Sequence, residues 1–367
     1  MGVGRQEHVP AAQPALAESV ARDLLDWFAR QRRDLPWRRT HDPYAIWVAE
    51  VMLAQTRVAT AIPYYQRFLA RFPNVASLAA APLAEVLKAW EGLGYYARAR
   101  NLHRAAQEVV AHYAGRIPNE PAALRALPGV GAYTAAALLS IAFGRDEAAL
   151  DANARRVLAR LCALPAPAES ELHALARRLL PPGRAGDWNQ ALMDLGATVC
   201  TSRRPRCDAC PLAPHCLARR QGTAERFPAA RRRRALPHYQ VCAAVIEHQG
   251  RILIAQRPAE GMLGGLWEFP GGKQEPGESL EQCLRREIHE ELAVEIAVDT
   301  PVATVEHAYS HFRITLHAFH CRLLAGEPQA IAVAAWCWVR PDELDRFAFS
   351  AADRKVVAAL RREQRPN

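Results

Sequence analysis

The sequence predicts an all-α domain followed by an α+β domain. Three observations carry that expectation: helical spacing of apolar residues from about Glu18 to Arg220, an arginine run that cannot bury itself, and strand-like segments from Tyr239 onward. The chain has 367 residues, half of them apolar, which is enough for two ordinary domains.

In the first half, Pro63 to Phe72, Leu83 to Trp90, Arg98 to Tyr113 and Thr134 to Phe143 place apolar residues three and four apart, with Pro and Gly between segments. Residues 1–17 are Pro/Ala-rich and read as a flexible lead-in to a helical domain over 18–220. Between Arg219 and Pro237 stand seven arginines and one acid, Glu225. This marks a solvated linker over 221–238, either a spacer or a segment that also meets phosphates. In the remaining residues, 239–367, Val241 to Ile246 and Arg251 to Ala255 read as strands joined at Gly250. A helix from Ser279 to Leu292 follows, then strands at Ala303 to Glu306, Arg313 to Cys321 and Ala335 to Val339, and a last helix from Ala351 to Arg362.

The formal charge of +9 favours a polyanionic partner such as nucleic acid. No stretch reaches the length of a membrane span, and the first thirty residues hold no continuous apolar core, so a cytoplasmic, nucleoid-associated protein is expected. Nine cysteines in a reducing compartment point to metal ligation or burial, not to disulfides. Four of them, Cys200, Cys207, Cys210 and Cys216, fall within seventeen positions, separated by six, two and five residues. Four such thiolates suit a 4Fe–4S cluster, with zinc as the alternative. The loop they pin over 200–216 also carries Arg203, Arg204 and Arg206, which makes it a candidate phosphate-binding edge. Cys162, Cys242, Cys283, Cys321 and Cys337 are scattered and read as core.

Leu127-Pro128-Gly129-Val130-Gly131 precedes an apolar helix near Ala132. Both glycines are expected to allow a tight turn with positive φ, leaving helix N–H groups free for a phosphate. Twenty residues after Gly131 comes Asp151, either a helix N-cap or a site carboxylate. Glu50 has apolar helical neighbours at Ile46, Trp47, Leu53 and Ala54. A carboxylate there is costly unless paired or neutral, so Glu50 is either a structural acid facing an arginine or a proton donor of raised pKa.

Together with Leu35-Pro36-Trp37, Val58-Ala59-Thr60 and the segment Gly92 to Leu102, these residues resemble the helix–hairpin–helix base-excision glycosylases and, within them, the MutY family of adenine glycosylases, over Leu24 to Cys216. The resemblance implies excision of adenine mispaired with 8-oxoguanine or guanine in double-stranded DNA, by a monomer carrying a 4Fe–4S cluster. It implies that Glu50 protonates the extruded adenine and Asp151 faces the cationic sugar, with Tyr133 and Asn153 in support and Arg38 touching the base. Gln55, Thr56, Leu93 and Tyr95 match positions that wedge into the stack or meet the opposite base, and Gly129 and Gly131 match the backbone-gripping hairpin. Ala54 stands where relatives often have Gln. Lyase relatives place a Schiff-base Lys where this chain has Tyr133, so base release without strand cleavage is expected.

Residues 271–294 resemble the Nudix box of MutT-type nucleotide hydrolases, with Gly272, Glu278, Arg286, Glu287, Glu290 and Glu291 in place and Ala293 replacing a glycine. The resemblance implies an α+β domain that recognises 8-oxoguanine, with Ser310 and His311 of Tyr309-Ser310-His311 as readers. Gly271, Glu287, Glu290 and Glu291 would hold Mg2+ if the box hydrolyses oxidised nucleoside triphosphates. Otherwise the acids form a solvated face paired with Arg285 and Arg286.

Overall fold

The computed structural model describes residues 14–229 and 235–363. Arg231 to Arg234 of the expected linker lie outside the described residues. The helices are α1 Pro14–Gln31, α2 Pro43–Leu53, α3 Val58–Arg71, α4 Val75–Ala80, α5 Leu83–Trp90, α6 Ala97–Tyr113, α7 Pro121–Ala126, α8 Ala132–Ile141, α9 Ala152–Leu161, α10 Glu169–Leu179, α11 Ala185–Thr198, α12 Leu217–Arg220, α13 Leu280–Leu292 and α14 Ala351–Glu363. The strands are β1 His238–His248, β2 Arg251–Gln256, β3 Trp267–Glu268, β4 Glu295–Ala308, β5 Arg313–Ala325 and β6 Ala335–Val339. None of the described helices is long and apolar enough to cross a membrane. Contacts divide the chain into two compact units, 1–76 with 104–232, and 77–103 with 233–367. The second unit therefore draws α5 and the loop after it to the C-terminal residues.

The first unit is helical. Its core gathers Leu24 and Phe28 of α1, Val157 and Leu158 of α9, Leu175 of α10, and Trp188, Leu192 and Leu195 of α11. Of the expected lead-in, Pro14 to Ala17 form the first turn of α1, where a proline lacking its N–H costs nothing, and residues 1–13 lie outside the described residues. Helix α11 approaches two neighbours at glycines. A Cβ on Gly186 would stand 2.7 Å from the Ser140 carbonyl oxygen, and one on Gly196 2.5 Å from Asn153 Cβ. These contacts set α11 against the end of α8 and the start of α9. Asn189 of α11 completes the joint, accepting from the Ala149 amide at 3.1 Å and donating to Ser140 Oγ at 2.9 Å.

In the second unit the sheet runs β3-β2-β1-β5-β4, with β6 also paired to β2; β1 and β5 are parallel and the other pairs antiparallel. Strand β1 alternates between two cores. Ala243 and Val245 join Val356 and Leu360 of α14, while Cys242, Ala244 and Ile246 join Leu284 and Ile288 of α13. Helix α13 opens on a capping box between Ser279 and Gln282. It closes on Ala293 at φ +56°, a left-handed cap that favours glycine and explains the family's residue there.

Candidate active site

Asp42 starts α2 by accepting from the amides of Tyr44 at 3.1 Å and Ala45 at 3.3 Å. Tyr44 through Met52 are all buried, and Glu50, the one charged residue of α2, is 6 % exposed. Tyr133, in the first turn of α8, donates its hydroxyl to Glu50 Oε2 at 2.8 Å. Burial pushes the Glu50 carboxyl up to about 7; the Tyr133 hydrogen bond opposes that rise, the Asp151 charge adds to it and Arg38 opposes it. A carboxyl balanced near neutrality is suited to donate a proton.

Asp151 ends the extended segment before α9 and caps that helix. Its Oδ1 accepts from the Ala154 amide at 2.7 Å and its Oδ2 from Asn153 Nδ2 at 2.8 Å. It also lines a cavity of about 380 Å³ together with Glu50, Tyr133, Asn153, Arg38 and Gln55. Asp151 is thus both the N-cap of α9 and part of the wall of this cavity. Gln55 follows α2 in the left-handed region at φ +65°, whereas Thr56 is half-buried and does not line the cavity.

Arg38 is fixed at the wall by Asp194 of α11, to which its two terminal nitrogens donate at 2.7 and 2.9 Å. Arg33 Nε donates to the same carboxylate at 2.7 Å. Asp194 is 1 % exposed, and the two guanidiniums hold its pKa down against burial. Asp194 and Arg33 were not anticipated. α11 carries a second acid, Asp187, and the helical neighbours of Asp194 include Gln190 and Thr198, so spacing alone does not mark Asp194 as it marks Glu50.

The hairpin between α7 and α8 corrects one expectation. Gly129 has φ +74°, but Gly131 has φ −83° and ψ 179°, because it occupies the extended N-cap position of α8. A Cβ on Gly131 would meet nothing within 4 Å, so the fold itself makes no demand for glycine there. Both glycines are exposed.

Cys200, Cys207, Cys210 and Cys216 line one small cavity of about 20 Å³. Among the described residues, no three His, Cys, Asp or Glu side chains are gathered as a single metal ion would require. Four thiols around a shared space fit the donor set of a cluster. Arg160, 2 % exposed, closes one side: Nη1 donates to Cys200 Sγ at 3.3 Å and to the Thr201 carbonyl at 2.6 Å, Nη2 to the Ser202 carbonyl at 3.2 Å, and Nε to the Phe227 carbonyl at 2.8 Å. Of the other cysteines, Cys242, Cys283 and Cys321 are buried, and Cys162 and Cys337 half-buried.

In the second unit Glu287 and Glu291 face another cavity, of about 350 Å³, with Lys273, Arg257, Glu268 and Asp353. A Cβ on Gly272 would stand 2.2 Å from the Glu287 carboxylate, so any side chain there would displace that carboxylate from its place at the cavity. Burial raises Glu291 to about 7 although its Oε2 accepts from the Gly271 amide at 3.1 Å. Glu290 does not line the cavity and pairs with Arg286 at 3.2 Å; Arg286 also binds Glu278 at 2.6 Å and Glu287 at 3.0 Å. Arginine pairing therefore accounts for part of the acidic face. Ser310 and His311 are exposed between β4 and β5 and do not line this cavity, whereas Tyr309 does. In the 91–96 loop, Leu93 is buried and Tyr95 is 44 % exposed.

Residues 48–182 match the model of the HhH-GPD superfamily base excision DNA repair protein, and residues 241–359 match the NUDIX domain. The human adenine DNA glycosylase is 35 % identical over 93 % of this chain and 74 % of its own length. The chain belongs to the adenine DNA glycosylases. The Mycolicibacterium smegmatis member of that family is 42 % identical over 59 % of this chain and 74 % of its own length. Among solved structures, a thermostable thymine-DNA glycosylase aligns at TM-score 0.54 and 32 % identity, covering 57 % of this chain and 99 % of the other. An endonuclease III–DNA complex aligns at 0.51 and 23 %, over 57 % and 98 %, and shares the fold. As a family member the chain is a DNA-binding base-excision glycosylase, and Glu50, Tyr133, Asp151 and Asn153 of the cavity lie in the matched residues, while Arg38 and Met193 lie outside them.

Proposed function

We propose that this glycosylase removes adenine paired opposite 8-oxoguanine or guanine, by hydrolysis without strand cleavage. The observation that carries the reading is the meeting of Glu50 and Asp151 in one cavity. The target atom is unreachable in a stacked duplex, so adenine leaves the helix to enter it. Glu50 gives its proton to the five-membered ring as the bond to the sugar breaks, and adenine departs neutral. Asp151, held by Asn153 and the α9 N-terminus, faces the oxocarbenium-like sugar. Water adds to that carbon, and the proton it releases restores Glu50. Tyr133 offers no amine for a Schiff base.

The hairpin would hold a phosphate by the first amides of α8, with Gly131 leaving room for close approach. The four cysteines would hold a 4Fe–4S cluster whose part is to pin the loop that exposes Arg203 and Arg204. Ser310 and His311, exposed on their loop, would read the oxidised guanine. Single-turnover reactions test this. Adenine opposite 8-oxoguanine should be released fastest, opposite guanine more slowly, and opposite thymine not at all; strand breaks should appear only after alkali. Abundant borohydride-trapped adduct, or no release from any duplex, would overturn it.

A second reading is that the C-terminal cavity hydrolyses oxidised nucleoside triphosphates. It is favoured by Glu287, Glu291 and Lys273 facing one space large enough for a nucleotide. Glu287 and Glu291, with the Gly271 backbone beside them, would hold a magnesium ion, and Glu290 would join them only by leaving its pair with Arg286. Pyrophosphate released from 8-oxo-dGTP in magnesium and lost in Glu291→Gln would support it; no release above a buffer blank would end it.

A further inference from the structure

We infer that the C-terminal residues 347–349 hold the 91–96 loop in the shape that presents Tyr95, with Glu91 as the positioning residue between them. The loop is built, not slack. Trp90 Nε1 and Arg98 Nη2 both donate to the Gly94 carbonyl, at 3.1 and 3.2 Å, and the Gly92 amide donates to the Tyr96 hydroxyl at 3.1 Å. Tyr95 itself sits at φ +52°, a costly conformation for a residue with a side chain, and its ring lies 5.1 Å under the Arg98 guanidinium. Such strain persists only where the surroundings enforce it.

The enforcing contacts come from the far end of the sequence. Glu91 Oε1 accepts from the Phe349 amide at 2.9 Å, and its other oxygen takes Lys88 Nζ at 2.7 Å, which in turn donates to the Phe347 carbonyl at 2.9 Å. The Tyr96 hydroxyl donates to the Phe349 carbonyl at 3.3 Å. On the other side Arg100 donates to the carbonyls of Gly264 at 2.8 Å and Gly261 at 3.1 Å. The 347–349 segment is firm: the Trp267 amide donates to the Ala348 carbonyl at 2.9 Å, and the buried Phe349 ring stacks on Phe269 at 5.6 Å. Glu91 is itself only 14 % exposed, so its acceptor is not one that water replaces freely.

The inference rests on the proposed function only in taking the loop to meet the duplex. Its test uses the full chain and a duplex with 2-aminopurine beside the mispaired adenine, whose fluorescence rises on unstacking. Glu91→Ala should weaken duplex binding about tenfold and remove the fluorescence rise. Glu91→Gln, which keeps an oxygen for the Phe349 amide, should stay within about twofold of the unmodified protein. Tyr96→Phe, which removes the other tie and is the milder change should Glu91→Ala fail to fold, should move both readouts the same way. Unchanged binding and fluorescence in a folded Glu91→Ala or Tyr96→Phe protein, or equal impairment in Glu91→Gln, would overturn the inference. If the unmodified protein binds and unstacks the duplex but releases no adenine, the proposed function fails and the inference stands.

Discussion

Glu50→Gln should slow adenine release by about 100- to 10,000-fold at saturating enzyme while leaving duplex affinity nearly unchanged, since the amide keeps the shape and loses the proton. Asp151→Asn should slow it similarly, because a neutral amide cannot face a cationic sugar. In the unmodified protein the rate should fall as pH rises through about 7, where the Glu50 proton is lost. The same burial makes this residue a liability for folding. With a carboxyl near 7 when folded and 4.5 as the ordinary value, the folded state holds the extra proton between those pH values, so its stability declines as pH climbs across that window. A shift of that size corresponds to about 3 kcal/mol above neutrality. Glu50→Gln should therefore melt higher than the parent at pH 8, a gain in stability alongside a loss of rate. A single-turnover pH profile and a thermal melt check both; a fully active Glu50→Gln protein would remove Glu50 from the mechanism.

Arg160→Met should be the most damaging change in the helical unit. The substitution nearly preserves apolar bulk but strips donors from the Thr201, Ser202 and Phe227 carbonyls and from Cys200 Sγ. These acceptors are only part-buried and Ser202 is exposed, so water replaces some of the lost donors and a loss of about 1–3 kcal/mol in all is expected. Because three of those acceptors sit at the start of the cysteine loop, the purified variant should also hold less iron and sulfide than the parent when the four cysteines carry the proposed cluster. Iron content with thermal melting checks this; a variant melting within a degree or two of the parent with full iron would show that the loop stands without Arg160.

The sequence made the layers legible where periodicity was unbroken. Leu83 to Trp90 and Ala335 to Val339 were read to the residue. Strand β4 was read only at Ala303 to Glu306, because register shifts around Pro301 interrupt its alternation over Glu295–Ala308. Pro63 looked like a helix start, yet α3 begins at Val58 and carries the proline in its second turn. Glu50 could be found because an acid among apolar helical neighbours demands an explanation. Its support could not, since Asp194 with Arg33 and Arg38, and Gly196 against Asn153, are contacts between segments more than forty residues apart. The grouping of 77–103 with the C-terminal residues has the same character: the bonds of Lys88, Glu91 and Arg100 leave no mark on local periodicity.

Helix α8 begins at the exposed hairpin and carries Tyr133 two residues beyond Gly131. At 1.5 Å of rise per residue, these points are about 3 Å apart along one rod that does not stretch. A phosphate seated on the hairpin, as proposed, would thereby stand at a set distance from the hydroxyl that holds Glu50. The helix would then work as a gauge, fixing how far along the strand an extruded base lies from the proton donor.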